Sequence, residues 1–288
     1  MTTATTLGPA LREAAERLRR AGIDDASLEA EVLLRHALGL EEDRAHMFAR
    51  LNEPLEPEAA ARFERYLRRR LAHEPAAYIV GSREFYGLSL ACSPDALIPR
   101  PETELLVEIA IEWLSRVQAV EPLIIDVGTG NGALAIALAV HRLDARVVAV
   151  DTSLAALRLA QRNVAAHGVA GRVGLVCGEL LSALRVEADV IVANLPYVSA
   201  TAWESLPPEI CEHEPRTALV GGSAGTETVA VLLGQAPGRL RPRSLLLCEC
   251  GDDQADALRI EAVRRFPDAW IEVRQDLAGL DRVLYVEQ

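Results

Sequence analysis

Cysteine is scarce in this sequence, and no two cysteines have the C-x-x-C spacing of a zinc or redox site. The five that occur are widely spread and odd in number, which argues against a disulfide framework. Cys248 and Cys250 alternate on a predicted strand and so share one face, and we interpret them as buried apolar thiols rather than a metal pair. We therefore predict no metal site and expect a reducing cytoplasm.

Long apolar runs are also absent: no uninterrupted stretch could span a bilayer, and the N-terminus lacks the apolar core of a signal peptide. Lysine is missing altogether, so all 30 basic residues are arginine, which says nothing about function. The net charge is −12, and because residues 1–75 hold 12 arginines against 14 acidic residues, the rest of the chain carries −10. This charge predicts no membrane association and no direct binding of nucleic acid.

Half of the residues are hydrophobic, and the spacing of these residues changes along the chain. Up to Pro75, apolar residues recur at intervals of three and four, which predicts an all-helical domain over residues 1–75. Two short β-prone runs around Gly81 and Ser82 then predict a hairpin linker over residues 76–98.

Beyond residue 98, apolar runs alternate with amphipathic helical segments. This alternation predicts an α/β domain over residues 99–288, built on a parallel, doubly wound sheet. The predicted strands are PLIIDVGTG, ARVVAVDTS, RVGLVCGEL, ADVIVANLPY and SLLLCECG. Two more strands follow in the tail AWIEVRQDLAGLDRVLYVEQ, and the last of them is expected to be antiparallel, at or near the edge of the sheet.

The first strand of the sheet passes through three glycines into a helix, in the segment DVGTGNGALAIALA, Asp126–Ala139. Gly128, Gly130 and Gly132 would let the backbone approach a nucleotide-like ligand closely. The next strand ends at Asp151, about 20 residues further on, where a carboxylate can accept hydrogen bonds from both ribose hydroxyls. The pattern is shared by dinucleotide enzymes and S-adenosylmethionine enzymes, and Asp151 could at the same time cap the following helix.

Two further strand ends help to distinguish a dinucleotide enzyme from an S-adenosylmethionine enzyme. The third strand is followed by Glu179 and Leu180, which would lie at the same sheet edge and suit the amino group and the face of an adenine. The fourth strand runs into the segment NLPY, Asn194–Tyr197, which dinucleotide enzymes do not explain.

The NLPY segment suits chemistry on a planar nitrogen. Such a nitrogen has a delocalised lone pair, so it attacks an electrophilic methyl group only if both N–H groups are held and the lone pair is aimed. The Asn194 side-chain oxygen can accept one hydrogen, and the Leu195 carbonyl can accept the other. That carbonyl is held rigidly, because Pro196 restricts the backbone of the residue before it. Tyr197 can offer a flat face to the substrate. We interpret the segment as a clamp for a planar NH2 group that needs no basic side chain.

Eight blocks of the sequence resemble the HemK/PrmC-type N(5)-glutamine methyltransferases that modify peptide-chain release factors. In order they are PAAYIVG, LIPRPETE, DVGTGNGALAI, AVDTS, ANLPYV, EHEPRTALVGGSAGTE, CECGDDQ and DLAGLDRVL. The resemblance implies a Rossmann-like class I S-adenosylmethionine-dependent methyltransferase domain and a small N-terminal all-helical domain that binds the partner. It also implies S-adenosylmethionine as donor, S-adenosylhomocysteine as product, and the glutamine of the Gly-Gly-Gln motif in class 1 release factors as acceptor.

The same resemblance assigns roles to individual residues. The catalytic clamp falls on Asn194, Leu195, Pro196 and Tyr197. The cofactor-binding positions fall on Gly128, Thr129, Gly130, Asn131, Gly132, Asp151, Glu179, Leu180 and Asn194. The family's usual clamp is Asn-Pro-Pro-Tyr, so Leu195 keeps the carbonyl but loses the rigidity of one ring. Glu179 stands where aspartate is common, and Glu214–Arg216 would hold a loop that closes over the substrate.

Three alternatives stay open at this point. An N6-adenine methyltransferase acting on RNA or DNA would present the same NH2 group to the clamp, and NLPY also occurs in rRNA adenine dimethylases. A glutamine methyltransferase of a ribosomal protein would share the clamp. A non-catalytic release-factor or ribosome-binding protein could have kept the fold, although Asn194, Pro196 and Tyr197 are intact. We expect a monomer whose partners are class 1 release factors.

Overall fold

The computed structural model describes residues 5–40 and 44–288, and the chain forms two compact units. The first unit comprises Met1–Gly81 together with Pro207–His213. Its helices before Gly81 are α1 (Leu7–Arg20), α2 (Ala26–Leu38), α3 (Arg44–Ala49), α4 (Pro57–Leu71) and α5 (Ala76–Val80).

Amphipathic spacing explains the helices of the first unit. Helix α1 buries Ala14 and Leu18 on one face and carries arginines in its last turn, where they complement the helix dipole. Helix α4 begins at Pro57, a position where the missing N–H has no intrahelical partner, and it buries Phe63 and Leu67. These faces share one apolar cluster with α2.

The linker differs from the sequence-based prediction at its start. The β-prone run after Pro75 forms helix α5, which ends at Gly81 in the left-handed conformation, with a φ of 82°. The antiparallel hairpin strands are β1 (Ser82–Phe85) and β2 (Leu88–Ala91). The turn lies at Tyr86–Gly87. The predicted turn at Gly81 and Ser82 is therefore wrong, because Gly81 instead provides the left-handed residue that ends a helix.

The second unit comprises Ser82–Leu206 and Glu214–Gln288. In chain order, the elements after the hairpin are α6 (Glu104–Arg116), β3 (Leu123–Val127), α7 (Ala133–His141), β4 (Arg146–Asp151), α8 (Leu154–Ala166), β5 (Val173–Cys177), β6 (Ala188–Ala193), β7 (Val198–Ser199), α9 (Pro208–His213), β8 (Val220–Gly222), α10 (Glu227–Gln235), β9 (Leu240–Glu249), α11 (Ala255–Arg265), β10 (Trp270–Gln275) and β11 (Asp281–Glu287). Helix α9 is the part that belongs to the first unit. Within the described ranges, none of the helices is long and apolar enough to cross a membrane.

A seven-stranded sheet forms the centre of the second unit, in the order β10-β11-β9-β6-β3-β4-β5. Strands β9, β6, β3, β4 and β5 are parallel to one another, whereas β11 is antiparallel to both β9 and β10. The predicted α/β class is confirmed, with the last strand reversed and next to the edge. Apolar clusters cover both faces of the sheet, which is why its central strands read as continuous apolar runs.

The strand order determines where a ligand site can form. Strand β3 pairs with β4 on one side and with β6 on the other, so the chain leaves β3 in one direction and later returns to its opposite side. At such a reversal, the loops after neighbouring strands diverge and leave a crevice at the carboxyl ends of the strands. The glycine loop after β3 and the NLPY segment after β6 therefore meet at one edge.

Candidate active site

A cavity of about 480 Å³ lies at this edge of the sheet, within the second unit. The predicted site residues that line it are Gly128, Thr129, Gly130, Asn131, Asp151, Glu179, Leu180, Asn194, Leu195 and Pro196. Gly132 and Tyr197 lie outside the lining and contact other groups, described below. Residues from four strand ends, far apart in sequence, are thus brought together around one space.

The glycine loop is bent by its backbone conformation and packs closely on the NLPY segment. Gly128 and Gly130 have φ angles of 76° and 56°, in the region that favours glycine. A Cβ atom at Gly128 would lie 2.8 Å from Cδ2 of Leu195, so a side chain there would displace that leucine. Leu195 is 3% exposed and fills the space beside the loop.

Asp126 holds the glycine loop from below and was not singled out by the sequence pattern as a site residue. Its Oδ2 accepts hydrogen bonds from the Thr129 hydroxyl at 2.6 Å and from the Ala135 backbone N–H at 3.1 Å. Burial raises the pKa of Asp126 to about 7, an effect that these two hydrogen bonds oppose. Thr129 therefore orients the loop through its hydroxyl while its surface lines the cavity.

Two other members of the predicted loop make structural contacts. The Asn131 side chain donates to the Ala91 carbonyl at 3.2 Å, while the Asn163 side chain donates to the Asn131 carbonyl at 2.9 Å. Gly132 has a φ of 90°, and a Cβ atom there would lie 3.3 Å from Cβ of Ala160. These contacts fasten the loop to the hairpin and to helix α8.

Asp151 ends β4 with its carboxylate beside the glycine loop. Its Oδ2 accepts the Gly130 N–H at 2.9 Å, and its Oδ1 accepts the Ser153 N–H at 2.8 Å. A carboxylate has about four acceptor positions, so each oxygen can accept a further hydrogen bond from a diol in the cavity. Asp151 does not cap α8. The capping side chain is that of Ser153, which accepts the Ala156 N–H at 3.1 Å.

Glu179 and Leu180 follow β5 and line the cavity. Leu180 has a φ of 47°, which is uncommon for a residue with a side chain. The next residue is fixed, because the Leu181 N–H donates to the side-chain oxygen of Gln235 at 2.9 Å. An acidic and an apolar side chain thus stand side by side at the third strand end.

The Asn194 side chain is held by a chain of two hydrogen bonds. Its amide Nδ2 donates to the Thr103 hydroxyl at 2.8 Å, and that hydroxyl donates to Oε2 of Glu249 at 2.7 Å. Thr103 and Glu249 are 4% and 1% exposed. The side-chain oxygen of Asn194 takes no part in this chain and is left to accept a hydrogen bond from a substrate.

Tyr197 interacts with the same buried glutamate and is not among the residues that line the cavity. Burial raises the pKa of its hydroxyl. The Tyr197 carbonyl accepts from Nε2 of Gln254 at 2.6 Å. The idea that the ring stacks on a substrate stays a prediction. Sequence reasoning missed Thr103, Glu249 and Gln254; only their blocks PETE and CECGDDQ pointed to this region.

The segment after NLPY packs on a glycine-rich loop. Strand β7 pairs with β8 in a separate two-stranded parallel sheet. A Cβ atom at Gly221 would lie 2.0 Å from the Pro196 carbonyl oxygen, and one at Gly225 would lie 2.1 Å from the Tyr197 carbonyl oxygen. Glycine at both positions therefore allows the loop to press directly against the clamp backbone.

Glu214 joins two segments that line the cavity. It is 6% exposed, forms an ion pair with Arg100, and accepts the Ile98 backbone N–H at 3.1 Å. The first segment contributes Leu97 and Pro99 to the cavity lining, and the second contributes Pro215 and Thr217.

Within the described ranges, no group of three or more His, Cys, Asp or Glu residues could hold a metal ion.

Known protein families match both parts of the chain. The PrmC N-terminal domain family matches residues 9–81. The ribosomal protein L11 methyltransferase (PrmA) family matches residues 106–220.

Relatives of established name align over almost the whole chain. The release factor glutamine methyltransferase of Moorella thermoacetica is 42% identical over 280 residues, or 96% of each chain. That of Nitratidesulfovibrio vulgaris is 38% identical over 291 residues, covering 100% of this chain and 97% of the relative. The solved T. thermophilus 16S rRNA N2 G1207 methyltransferase, in complex with AdoMet and guanosine, shares the fold, with a TM-score of 0.51, 20% identity and coverage of 72% of this chain and 49% of that one. The resemblance found in the sequence blocks is confirmed, and the chain belongs to the release factor glutamine methyltransferase family.

Proposed function

We propose that this protein transfers a methyl group from S-adenosylmethionine to the side-chain amide nitrogen of the glutamine in the Gly-Gly-Gln motif of class 1 release factors. The observation that carries the proposal is the orientation of Asn194, whose NH2 group is bound to Thr103 and whose oxygen is left for the substrate. An acceptor at this point suits an amide NH2 group. The names of the full-length relatives support the choice of a release-factor glutamine.

The residues around the cavity fit S-adenosylmethionine. Asp151 has acceptor positions for the ribose hydroxyls, the backbone of Gly128–Gly130 is open to close approach, and Glu179 and Leu180 can contact an amino group and an adenine face. The volume of about 480 Å³ is within the range of small-molecule sites. When bound, the cofactor supplies an electrophilic methyl group on a sulfonium, and the sulfur leaves as a neutral thioether.

The clamp would position the acceptor nitrogen rather than deprotonate it. The Asn194 side-chain oxygen accepts one N–H of the glutamine amide, and the Leu195 carbonyl accepts the other. With both hydrogens held, the nitrogen lone pair points along the line of the breaking bond, which contributes the entropic part of the rate enhancement. After transfer the nitrogen loses one proton to solvent, so the chain needs no strong base.

The proposal extends to the partner and the assembly. The helical unit, which contains the residues matched by the PrmC N-terminal domain family, would bind the release factor. The enzyme would act as a monomer without direct contact to nucleic acid, in keeping with the −12 net charge. Light scattering of the protein alone measures its oligomeric state, and light scattering with a release factor measures the stoichiometry of the complex.

Methyl transfer from labelled S-adenosylmethionine to purified class 1 release factor and to total ribosomal RNA, side by side, tests the proposal. We expect label on the Gly-Gly-Gln glutamine by mass spectrometry, and none when that glutamine is changed to alanine. Label in RNA alone would replace the proposal with an adenine methyltransferase.

A further inference from the structure

Glu249 is a buried carboxylate outside the cavity lining. It ends strand β9 and is 1% exposed. It accepts a hydrogen bond from the Thr103 hydroxyl at 2.7 Å and interacts with the Tyr197 hydroxyl. A buried acid is destabilising unless its acceptor positions are used, and here both partners belong to segments that also form the active site.

The hydrogens in this chain of contacts determine which way the Asn194 amide faces. Thr103 has a single hydroxyl hydrogen. Because that hydrogen goes to Glu249, the Thr103 oxygen can only accept from Asn194, and the amide group that faces it must be the NH2. The Asn194 oxygen then faces the other way, toward the space in which an acceptor amide would be held.

We propose that Glu249 is a positioning residue for methyl transfer, which acts through Thr103 to keep the Asn194 side-chain oxygen directed at the substrate amide. The inference rests on the proposed function, since it concerns the same clamp. Glu249 also interacts with the Tyr197 hydroxyl, at the opposite end of the NLPY segment. One buried carboxylate is thus in reach of both ends of the clamp.

The positioning requires Glu249 to be ionised. A protonated carboxyl would have to donate its hydrogen, and the Thr103 hydroxyl could then donate to Asn194 and stabilise the reversed amide. The charged or titratable groups that face Glu249 are Tyr197, Glu102, Arg282 and Cys250. Burial raises the pKa of Glu249, while the hydroxyls of Thr103 and Tyr197 and the charge of Arg282 lower it.

Thr103→Val and Thr103→Ser form a matched pair that isolates the hydroxyl. Valine has nearly the same shape as threonine but no hydroxyl, whereas serine keeps it. We expect Thr103→Val to lower kcat about 10- to 100-fold, with the release-factor KM and the Kd of S-adenosylhomocysteine within about threefold of the wild type. Thr103→Ser should retain kcat within about threefold. Equal kcat values for the two variants would overturn the role of the hydroxyl.

Glu249→Gln tests whether the glutamate acts through Thr103. Its neutral amide can turn its NH2 toward Thr103 and so favour the reversed Asn194. We expect about a tenfold loss of kcat in the wild-type background but less than about threefold in the Thr103→Val background, because residues of one chain of contacts are not additive. Additive losses would overturn the inference.

The pH dependence of kcat tests the inference even if a Thr103 variant does not fold. Wild-type kcat should fall on the acid side as Glu249 takes up a proton, and Glu249→Gln should lack that acid limb. Identical profiles would contradict the inference. Wild-type transfer to the release factor is measured in every series. If the proposed acceptor is wrong, the wild type will not label the release factor. If the role of Glu249 is wrong, the variants will keep the wild-type kcat on whichever acceptor takes the label.

Discussion

At the scale of single residues, the acids at the ends of neighbouring strands differ in what surrounds them. Asp126 is completely buried beneath the glycine loop and binds only groups of the protein. Asp151 lines the cavity and retains acceptor positions for a ligand. Sequence reasoning chose Asp151 from its position after the second strand. It could not assign Asp126, since the burial of a strand-end carboxylate depends on the packing above it.

The raised pKa of Asp126 predicts a pH-dependent stability. In the unfolded chain this group ionises near pH 4, but in the folded protein only near pH 7. Between these values the folded protein binds more protons than the unfolded chain, so the contribution of Asp126 to the free energy of unfolding is present below pH 4 and is lost as the pH rises through 7. Relative to Asp126→Asn, the wild type should lose up to about 4 kcal/mol of stability between pH 4 and pH 8. Urea denaturation at a series of pH values measures the difference, and parallel curves for the two proteins would show that Asp126 titrates normally.

Asn194→Ala and Asp151→Ala should separate turnover from cofactor binding. Removing the Asn194 acceptor should lower kcat about 100-fold or more and leave the Kd of S-adenosylhomocysteine within about threefold. Removing the Asp151 carboxylate should raise that Kd at least about tenfold, because two charge-assisted hydrogen bonds to the ribose are lost. Calorimetry gives the affinities and labelled transfer gives kcat. Wild-type turnover in Asn194→Ala would refute the clamp, and unchanged binding by Asp151→Ala would remove the ribose role.

At the scale of elements, the clamp is a strand end held between other segments. Strand β8 presses on the Pro196 carbonyl and the loop after it on the Tyr197 carbonyl, while Gln254, after β9, donates to Tyr197. Helix α5 shows a further effect at this scale. The run AAYIV has the composition of a strand, yet Pro75 and Gly81 at its ends favour a helix, and the helix forms.

Gly221→Ala should disturb the clamp through the backbone. The added Cβ would lie 2.0 Å from the Pro196 carbonyl oxygen, and neither backbone segment can move without shifting the other. We expect a loss of about 1–3 kcal/mol of stability and at least a tenfold lower kcat. Gly234→Ala is the matched control, because it lies in helix α10 with its nearest contact, from the Arg265 guanidinium, at 3.7 Å. The control should gain about 0.5–1 kcal/mol with unchanged kcat. Similar losses in both variants, by denaturation and turnover, would show that the close approach is unimportant.

At the scale of the whole molecule, the chain leaves the catalytic unit between the NLPY segment and Glu214. After Leu206 it contributes helix α9 to the helical unit, and it returns to the catalytic unit at Glu214. Within the helical unit, Arg70 pairs with Glu209 of α9 at 2.6 Å and with Glu29 of α2 at 2.8 Å. The helical unit is therefore completed by a segment distant in sequence: Arg70 and Glu209 are 139 positions apart.

Glu209→Gln should weaken the attachment of α9. The Arg70 side chain is 3% exposed, so it loses one of its two carboxylate partners in a place where water cannot replace it. Because Glu209 itself is 36% exposed, we expect a loss of only about 1 kcal/mol in urea denaturation, with faster hydrogen exchange confined to α9. Glu212→Gln, an exposed position on the same helix, should change neither quantity. Equal behaviour of the two variants would exclude the ion pair as the anchor.

The sequence by itself determined the strand ends, the glycine loop, the NLPY segment and the order in which they occur, because apolar periodicity and turn chemistry act between residues a few positions apart. The tertiary structure alone decided what holds those parts in register. Thr103 and Asn194 are 91 positions apart, and Thr103 and Glu249 are 146 apart, so no local pattern relates them. Their hydrogen bonds exist because packing of α6, β6 and β9 brings Asn194 beside the buried Thr103 and Glu249, whose polar atoms must find partners.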